Sequence, residues 1–147
     1  MVTLEVLTQE NWENCADLQV LQEQSEFIAP NIYSIAEAQF LPGFVVKGIC
    51  YRHKMVGMLM YGIDPDDGNY WIYRLMVDQH HQKKGYAKQA MALLIDEIKE
   101  KNIQKVPFLM VGYHTKNTNA HYFYQRVGFV FQGMADWGEN LAQYRLV

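Results

Sequence analysis

Apolar and polar positions recur along this chain with periods that mark out most of its elements. Thr3 to Leu7 alternates, as a short half-buried strand does. From about Glu10 the period lengthens, and Trp12, Cys15, Ala16, Leu18 and Leu21 form a helical stripe. That helix is expected to end before Pro30, because the residue preceding a proline is biased out of the helical region. Ser34 is expected to cap a second, short helix over Ile35 to Phe40, with Glu37 at the capping-box position and Pro42-Gly43 closing it. Two strand-like runs follow, Phe44 to Tyr51 and Met55 to Ile63. Arg52-His53-Lys54 reads as the hairpin turn between them, although these are not strong turn formers. Asp64-Pro65-Asp66-Asp67-Gly68 is a stronger turn signal. Tyr70 to Val77, rich in aromatic and β-branched side chains, then reads as a central strand.

The helical period returns at Ala87, Ala90, Met91, Leu94, Ile95 and Ile98, within Gly85 to Lys101. Val106 to Tyr113 reads as a strand. Ala120, Phe123, Tyr124 and Val127 mark another helix, closed by Gly128. Final strands are expected near Phe129 to Met134 and Gln143 to Val147. The order is βααβββαβαββ, an α/β fold with a mixed central sheet flanked by helices. A length of 147 residues suits one domain, 1–147, around one core.

Composition narrows the classes of function. Half of the residues are hydrophobic and a fifth charged, which excludes a disordered chain. With 13 basic and 16 acidic side chains the net charge is −3. No basic excess is present to hold a phosphate backbone, so no nucleic-acid partner is expected, and a mildly acidic field favours a cationic substrate. Cys15 and Cys50 lack metal-type spacing and read as buried free thiols of a reducing compartment. The start has neither a basic region nor a long apolar stretch, and no run is long enough to cross a bilayer. A cytoplasmic protein without a membrane partner is expected.

The chemistry concentrates between the Tyr70–Val77 strand and the helix after it, at Asp78-Gln79-His80-His81-Gln82-Lys83-Lys84-Gly85-Tyr86-Ala87-Lys88. A glycine at a helix start lets the backbone approach a ligand with no Cβ in the way. Free N–H groups of a first helical turn, with the helix dipole, favour an anion there. Lys83, Lys84 and Lys88 add positive charge, so a pyrophosphate would be well served. The plain alternative is a solvated lysine-rich turn entering an amphipathic helix. The spacing is neither that of a P-loop nor GxGxxG.

Gln82-Lys83-Lys84-Gly85-Tyr86-Ala87 resembles the Q/R-x-x-G-x-G/A motif of the GNAT acetyltransferase family, which likewise follows a strand and opens a helix. Ala87 stands where many members carry glycine. Asn117-Thr118-Asn119-Ala120-His121-Tyr122-Phe123-Tyr124-Gln125-Arg126-Val127-Gly128-Phe129 resembles that family's N-x-x-A-x-x-[LF]-Y-x-x-x-G-F segment. The resemblance runs from roughly Phe44 to Phe129 and more loosely beyond. It implies the GNAT fold and acetyl-coenzyme A as cosubstrate. It also implies a coenzyme site in which Gln82, Lys83, Lys84, Gly85, Tyr86, Ala87 and Lys88 surround the pyrophosphate. The backbone of Met76 and Val77 would pair with the pantetheine arm. Asn117, with both a donor and an acceptor, would bind a pantetheine amide or cap the helix after it. Tyr124 is the implied general acid, since expelled coenzyme A leaves a thiolate that a nearby phenol can protonate.

The amine acceptor is less defined. An attacking amine must be neutral, yet a free alkylamine is mostly protonated at pH 7, so a proton has to be removed. Many family members carry a glutamate for this on the strand before the turn. Tyr70 to Val77 has no carboxylate, which leaves the base unassigned. Acidic candidates lie elsewhere: Glu23, Glu26, Glu37, Asp64, Asp66 and Asp67. Glu26-Phe27-Ile28-Ala29-Pro30-Asn31 with Ser34 to Ala38, and Tyr61 to Gly68, resembles the bacterial spermine/spermidine (diamine) acetyltransferase branch of the family. That likeness implies acetylation of a primary amine of a polyamine, with Glu26, Tyr33, Glu37, Asp64 and Tyr73 as acceptor residues. Carboxylates and aromatic faces, Trp71 included, suit a polycation. The alternatives are another small amine, a peptide N-terminus, or a non-catalytic acyl-coenzyme A-binding module. No metal site is read from His80, His81, His114 and His121. Family members are often dimers, and the aromatic-rich C-terminal part is compatible with a homodimer.

Overall fold

A computed structural model describes residues Met1–Val147. Strands β1 (Val2–Val6), β2 (Val45–Tyr51), β3 (Lys54–Ile63), β4 (Tyr70–Val77), β5 (Phe108–Tyr113), β6 (Val130–Met134) and β7 (Asn140–Arg145) form one sheet in the order β1-β2-β3-β4-β5-β7-β6. Every neighbouring pair is antiparallel except β4 and β5, which are parallel and joined by the crossover helix α3 (Tyr86–Lys101). Helices α1 (Trp12–Asp17), α2 (Asn31–Ala38) and α4 (Thr118–Arg126) complete the expected order.

Alternation along the central strands explains the layers. On one face Ile49, Val56, Leu59 and Ile72 pack with Ala90, Met91, Leu94, Ile95 and Ile98, the apolar stripe of α3. Ala120 and Phe123 of α4, with Val127 at its C-cap, cover the same face. On the other, Met58, Met60 and Met76 meet Cys15 of α1 and Phe44 beneath α2. Unbranched methionines fill the irregular space under two short helices. Both cysteines are free and buried, as read from the sequence, and burial pushes the Cys15 thiol up to about 12. No helix is long and apolar enough to cross a membrane.

Three boundaries depart from the periodicity, and one expected turn forms despite weak turn residues. The first helix stops at Asp17, Leu18 is extended, and the chain re-forms only a short 3₁₀ turn at Gln22–Gln24. The cause is tertiary: the Gln19 N–H donates to Asp78 Oδ1 (2.9 Å) and the Gln79 N–H donates to the Gln19 carbonyl (2.7 Å), which takes that backbone out of any helix. The second helix starts at Asn31, with Pro30 as its N-cap, so Ser34 is not a cap. Ser34 lies inside α2, fully buried, with its Oγ unpartnered, and Glu37 turns to Arg74 instead of closing a capping box. The β2–β3 turn is tight although its residues are unpromising: Arg52 and His53 both hold positive φ, as a two-residue primed turn requires. Finally β7 begins at Asn140 rather than Gln143, in register with Tyr113 of β5.

Candidate active site

The site exists because two strands part. Strands β4 and β5 pair only from Tyr70–Leu109 to Ile72–Val111. Beyond Ile72 they are no longer bonded, and the edge of β4 from Tyr73 onward faces a gap. A bulge helps to open it: Met60 pairs with Arg74 while Tyr61 pairs with Ile72, which leaves Tyr73 as the extra residue. The resulting cleft measures about 1550 Å³ and runs from the start of α3, past α4, to the β3–β4 and β6–β7 turns.

One end is built from backbone. The amides from Gln82 to Lys88 have no hydrogen-bond partner within the chain, the first bond of α3 being Gln89 N–H to the Gly85 carbonyl (3.1 Å). Gly85 sits at the N-cap with φ +81°, a conformation that L side chains seldom adopt, and Lys83 is held at φ +63°. A run of unpaired N–H groups at the positive end of a sixteen-residue helix is an anion site, and its donors fit a pyrophosphate. Asp78 fixes the turn: its carboxylate accepts from the Gln19 amide, the His80 amide and the His80 ring. Burial raises the Asp78 carboxyl, but these donors more than offset it and the net shift is downward. The Gln82 side chain donates to the Val77 carbonyl (2.9 Å) and pairs with the amide of Gln24. Gln82 thus braces the turn against β4 and the 3₁₀ turn, and the Val77 carbonyl is already engaged. Met76, Val77, Gln82, Lys83, Gly85, Tyr86, Ala87 and Lys88 all line the cleft, whereas Lys84 does not.

The middle is aromatic. Tyr124 is 6% exposed and lines the cleft from α4. Its hydroxyl makes no hydrogen bond within the chain and opens on the cleft, and burial of the ring, aided by Tyr113, pushes its pKa upward, so it carries its proton at neutral pH. Tyr113 at the end of β5 stacks on it, with centroids 5.7 Å apart and planes at 22°. The Tyr113 hydroxyl lies 2.7 Å from Nδ1 of His121. Asn117 lines the cleft and is the N-cap of α4, its Oδ1 accepting from the Ala120 amide (3.1 Å).

The far end is built from side chains. Tyr73 donates its hydroxyl to Asp64 Oδ2 (2.7 Å), and the Trp71 indole N–H donates to both oxygens of Asp67 (3.0 and 2.9 Å). From the β6–β7 turn, the Trp137 indole donates to Glu139 (2.7 Å), and its ring lies 6.2 Å from that of Trp71. Gly112 of β5 makes room for this: a Cβ there would stand 3.0 Å from Glu139 Oε1. Glu26, Glu37, Asp64 and Tyr73 line the cleft as the sequence predicts. Tyr33 does not; it borders a small separate hollow with Phe40 and Leu41, its ring 6.0 Å from the Arg74 guanidinium. Arg74 is ion-paired with Glu37 at 3.2 Å, so that carboxylate is already neutralised. Trp137, Glu139, Tyr113 and Gln24 are not among the site residues that the sequence predicts. Only the turn glycine Gly138, at φ +96°, hints locally at a loop there, and nothing local says that it folds over the cleft. No group of three or more His, Cys, Asp or Glu side chains is arranged to hold a metal ion.

Comparison with known proteins identifies the fold and the family. The spermine/spermidine N(1)-acetyltransferase of Bacillus subtilis (strain 168) is 28% identical over 147 residues, covering 95% of each chain. The ribosomal-protein-S18-alanine N-acetyltransferase of Escherichia coli superposes with a TM-score of 0.72 at 17% identity, over 99% of this chain and 94% of that one. The PaiA N-acetyltransferase of Thermoplasma acidophilum, solved in complex with coenzyme A, superposes with a TM-score of 0.70 at 14% identity, over 99% of each chain. The family model for acetyltransferases of the GNAT type matches residues 7–129, from the end of β1 through α4, and takes in the parted strands, the amide-rich turn and Tyr124. The chain therefore belongs to the acetyltransferase (GNAT) family.

Proposed function

We propose that this enzyme acetylates a primary amine of a polyamine such as spermidine or spermine, by direct attack in a ternary complex. The acetyl donor is acetyl-coenzyme A. The observation that carries the polyamine reading is the far end of the cleft, where Asp64, Asp67 and Glu139 are held by Tyr73, Trp71 and Trp137. Each carboxylate is oriented by a neutral donor and paired with no cation of the chain, and the aromatic rings beside it offer faces to an alkylammonium. The likeness to a spermine/spermidine acetyltransferase over 95% of the chain supports the same substrate class.

The unpaired amides of Gln82 to Lys88 hold the diphosphate, and the open edge of β4 receives the arm that follows. Asp64 and Glu139 stand at the acceptor end as bases for the ammonium, in place of a carboxylate on β4. The nitrogen then attacks the thioester carbon, the C–S bond breaks, and Tyr124 gives its proton to the departing sulfur. Pure protein incubated with acetyl-coenzyme A and spermidine, with free thiol followed, should turn over. Turnover confined to a peptide N-terminus or to another amine would overthrow the polyamine assignment.

A further inference from the structure

The segment from Gln19 to Phe27 lies between α1 and α2 and touches the ends of both parted strands. At its start the Gln19 amide and carbonyl are bonded to Asp78 and Gln79, directly after β4. At its end the Phe27 ring centroid lies 5.2 Å from that of His114, directly after β5. Between these anchors stands Gln24, half-buried and lining the cleft. Its Oε1 accepts from the Leu21 amide (3.1 Å), which closes the 3₁₀ turn, and from Nε2 of Gln82 (2.9 Å). Its Nε2 donates back to Gln82 Oε1 (3.3 Å), while Gln82 Nε2 also donates to the Val77 carbonyl (2.9 Å). Neither carboxamide can be turned over without loss, because the Leu21 N–H needs an oxygen and the Val77 carbonyl needs an N–H. Gln82 opens the run of unpaired amides, and Gln24 stands in the segment that carries Glu26, one of the carboxylates lining the cleft.

We propose that the Gln24–Gln82 pair couples the two ends of the cleft. A coenzyme held by the turn fixes Gln82, and Gln82 through Gln24 fixes the segment that walls the cleft. Gln24 is thereby a positioning residue for the transfer, acting through Gln82. This rests on the turn as the diphosphate site, and not on which amine is acetylated. No other hydrogen bond links residues 20–30 to residues 82–88. The physical basis is order: amides that bond a diphosphate restrict the backbone at Gln82, so its side chain gives up less freedom in gripping Gln24. The effect is reciprocal, since a segment held in place by an amine favours the coenzyme by the same factor.

Hydrogen exchange of backbone amides, with coenzyme A alone as the ligand, tests the coupling. The Leu21, Gln24, Ser25 and Phe27 amides report on the segment, since each is bonded within it. Saturating coenzyme A is expected to slow their exchange about fivefold or more, a typical size for coupled sites. In Gln82→Ala, which leaves those bonds in place, the slowing should fall below about twofold at coenzyme A concentrations that calorimetry shows to saturate the variant. Gln24→Leu should lose it at Ser25 and Phe27, whereas Gln24→Glu, whose carboxylate still accepts from Leu21 and Gln82, should keep it. Slowing confined to residues 82–88, or slowing of the segment that is equal in wild type and Gln82→Ala, overturns the coupling. If coenzyme A does not bind wild type, or binds and leaves the amides of residues 82–88 unprotected, the diphosphate reading has failed first, and that result is distinguishable from the other two.

Discussion

The two ends of the cleft bind by different means. At the end proposed for the coenzyme the free donors are consecutive backbone amides, Gln82 to Lys88, on one turn and the helix it opens. At the acceptor end the functional atoms are side chains, from the β3–β4 turn, β4 itself and the β6–β7 turn. A backbone site tolerates changes of side chain, provided that the turn keeps its shape. A side-chain site changes specificity whenever one residue changes. The difference accords with a family that holds one donor constant while its members act on varied acceptors.

Removal of the group between the two ends should have the largest effect. Tyr124→Phe is expected to lower kcat by about 10²- to 10⁴-fold. Acetyl-coenzyme A affinity, measured by calorimetry, should stay within about twofold. A comparable loss of affinity would mean that Tyr124 belongs to the backbone-built end rather than to the chemistry.

Next comes the brace under the turn. Asp78→Asn should cost about 1–3 kcal/mol of unfolding free energy in urea at neutral pH, since it weakens hydrogen bonds to a buried charge. The folded carboxyl lies below its ordinary 3.8, so its contribution is complete above the unfolded value and is lost as pH falls through the folded one. Wild type and variant should therefore begin to converge as pH falls past the ordinary carboxylate value and meet only once it is below the depressed folded one. A gap that persists in acid would show that the carboxylate charge is not what holds the turn.

Asp64→Asn tests the side-chain end. The KM for spermidine should rise about tenfold while that for acetyl-coenzyme A stays unchanged, as expected for one charge-assisted contact. Equal effects on a monoamine and a polyamine would remove Asp64 from polyamine recognition. The smallest effect belongs to Lys83→Ala, whose exposed charge only supplements the amides: a few-fold loss of coenzyme affinity at low salt, fading at high salt. A large, salt-independent loss would make the coenzyme end a side-chain site after all.

How much of this was legible follows the same division. Gly85 and the lysines around it are neighbours in sequence and neighbours in space, so the turn and its unpaired amides could be anticipated directly. Tyr124 and Asn117 share one helix and were likewise visible. Trp137 and Glu139 were not, because they reach the cleft only by virtue of the β5–β7 register and the missing side chain at Gly112. Tyr33 misled for the converse reason. Helix α2 begins at Asn31, four residues earlier than the expected Ser34 cap implied, and Tyr33 stands at a separate hollow. The first helix ended early because Gln19 found its partners around Asp78, far along the chain.

Periodicity, turn residues and the two motifs by themselves determined the element order, the mixed sheet, the anion-binding turn and the phenol beside it, since each depends on residues within a few positions of one another. Only the tertiary structure decided where β4 and β5 separate, which carboxylates face the gap, that Glu37 is spent on Arg74, and that Tyr113 and His121 stand behind Tyr124. Those facts rest on contacts between segments tens of residues apart, whose meeting depends on strand register and helix placement rather than on any local preference.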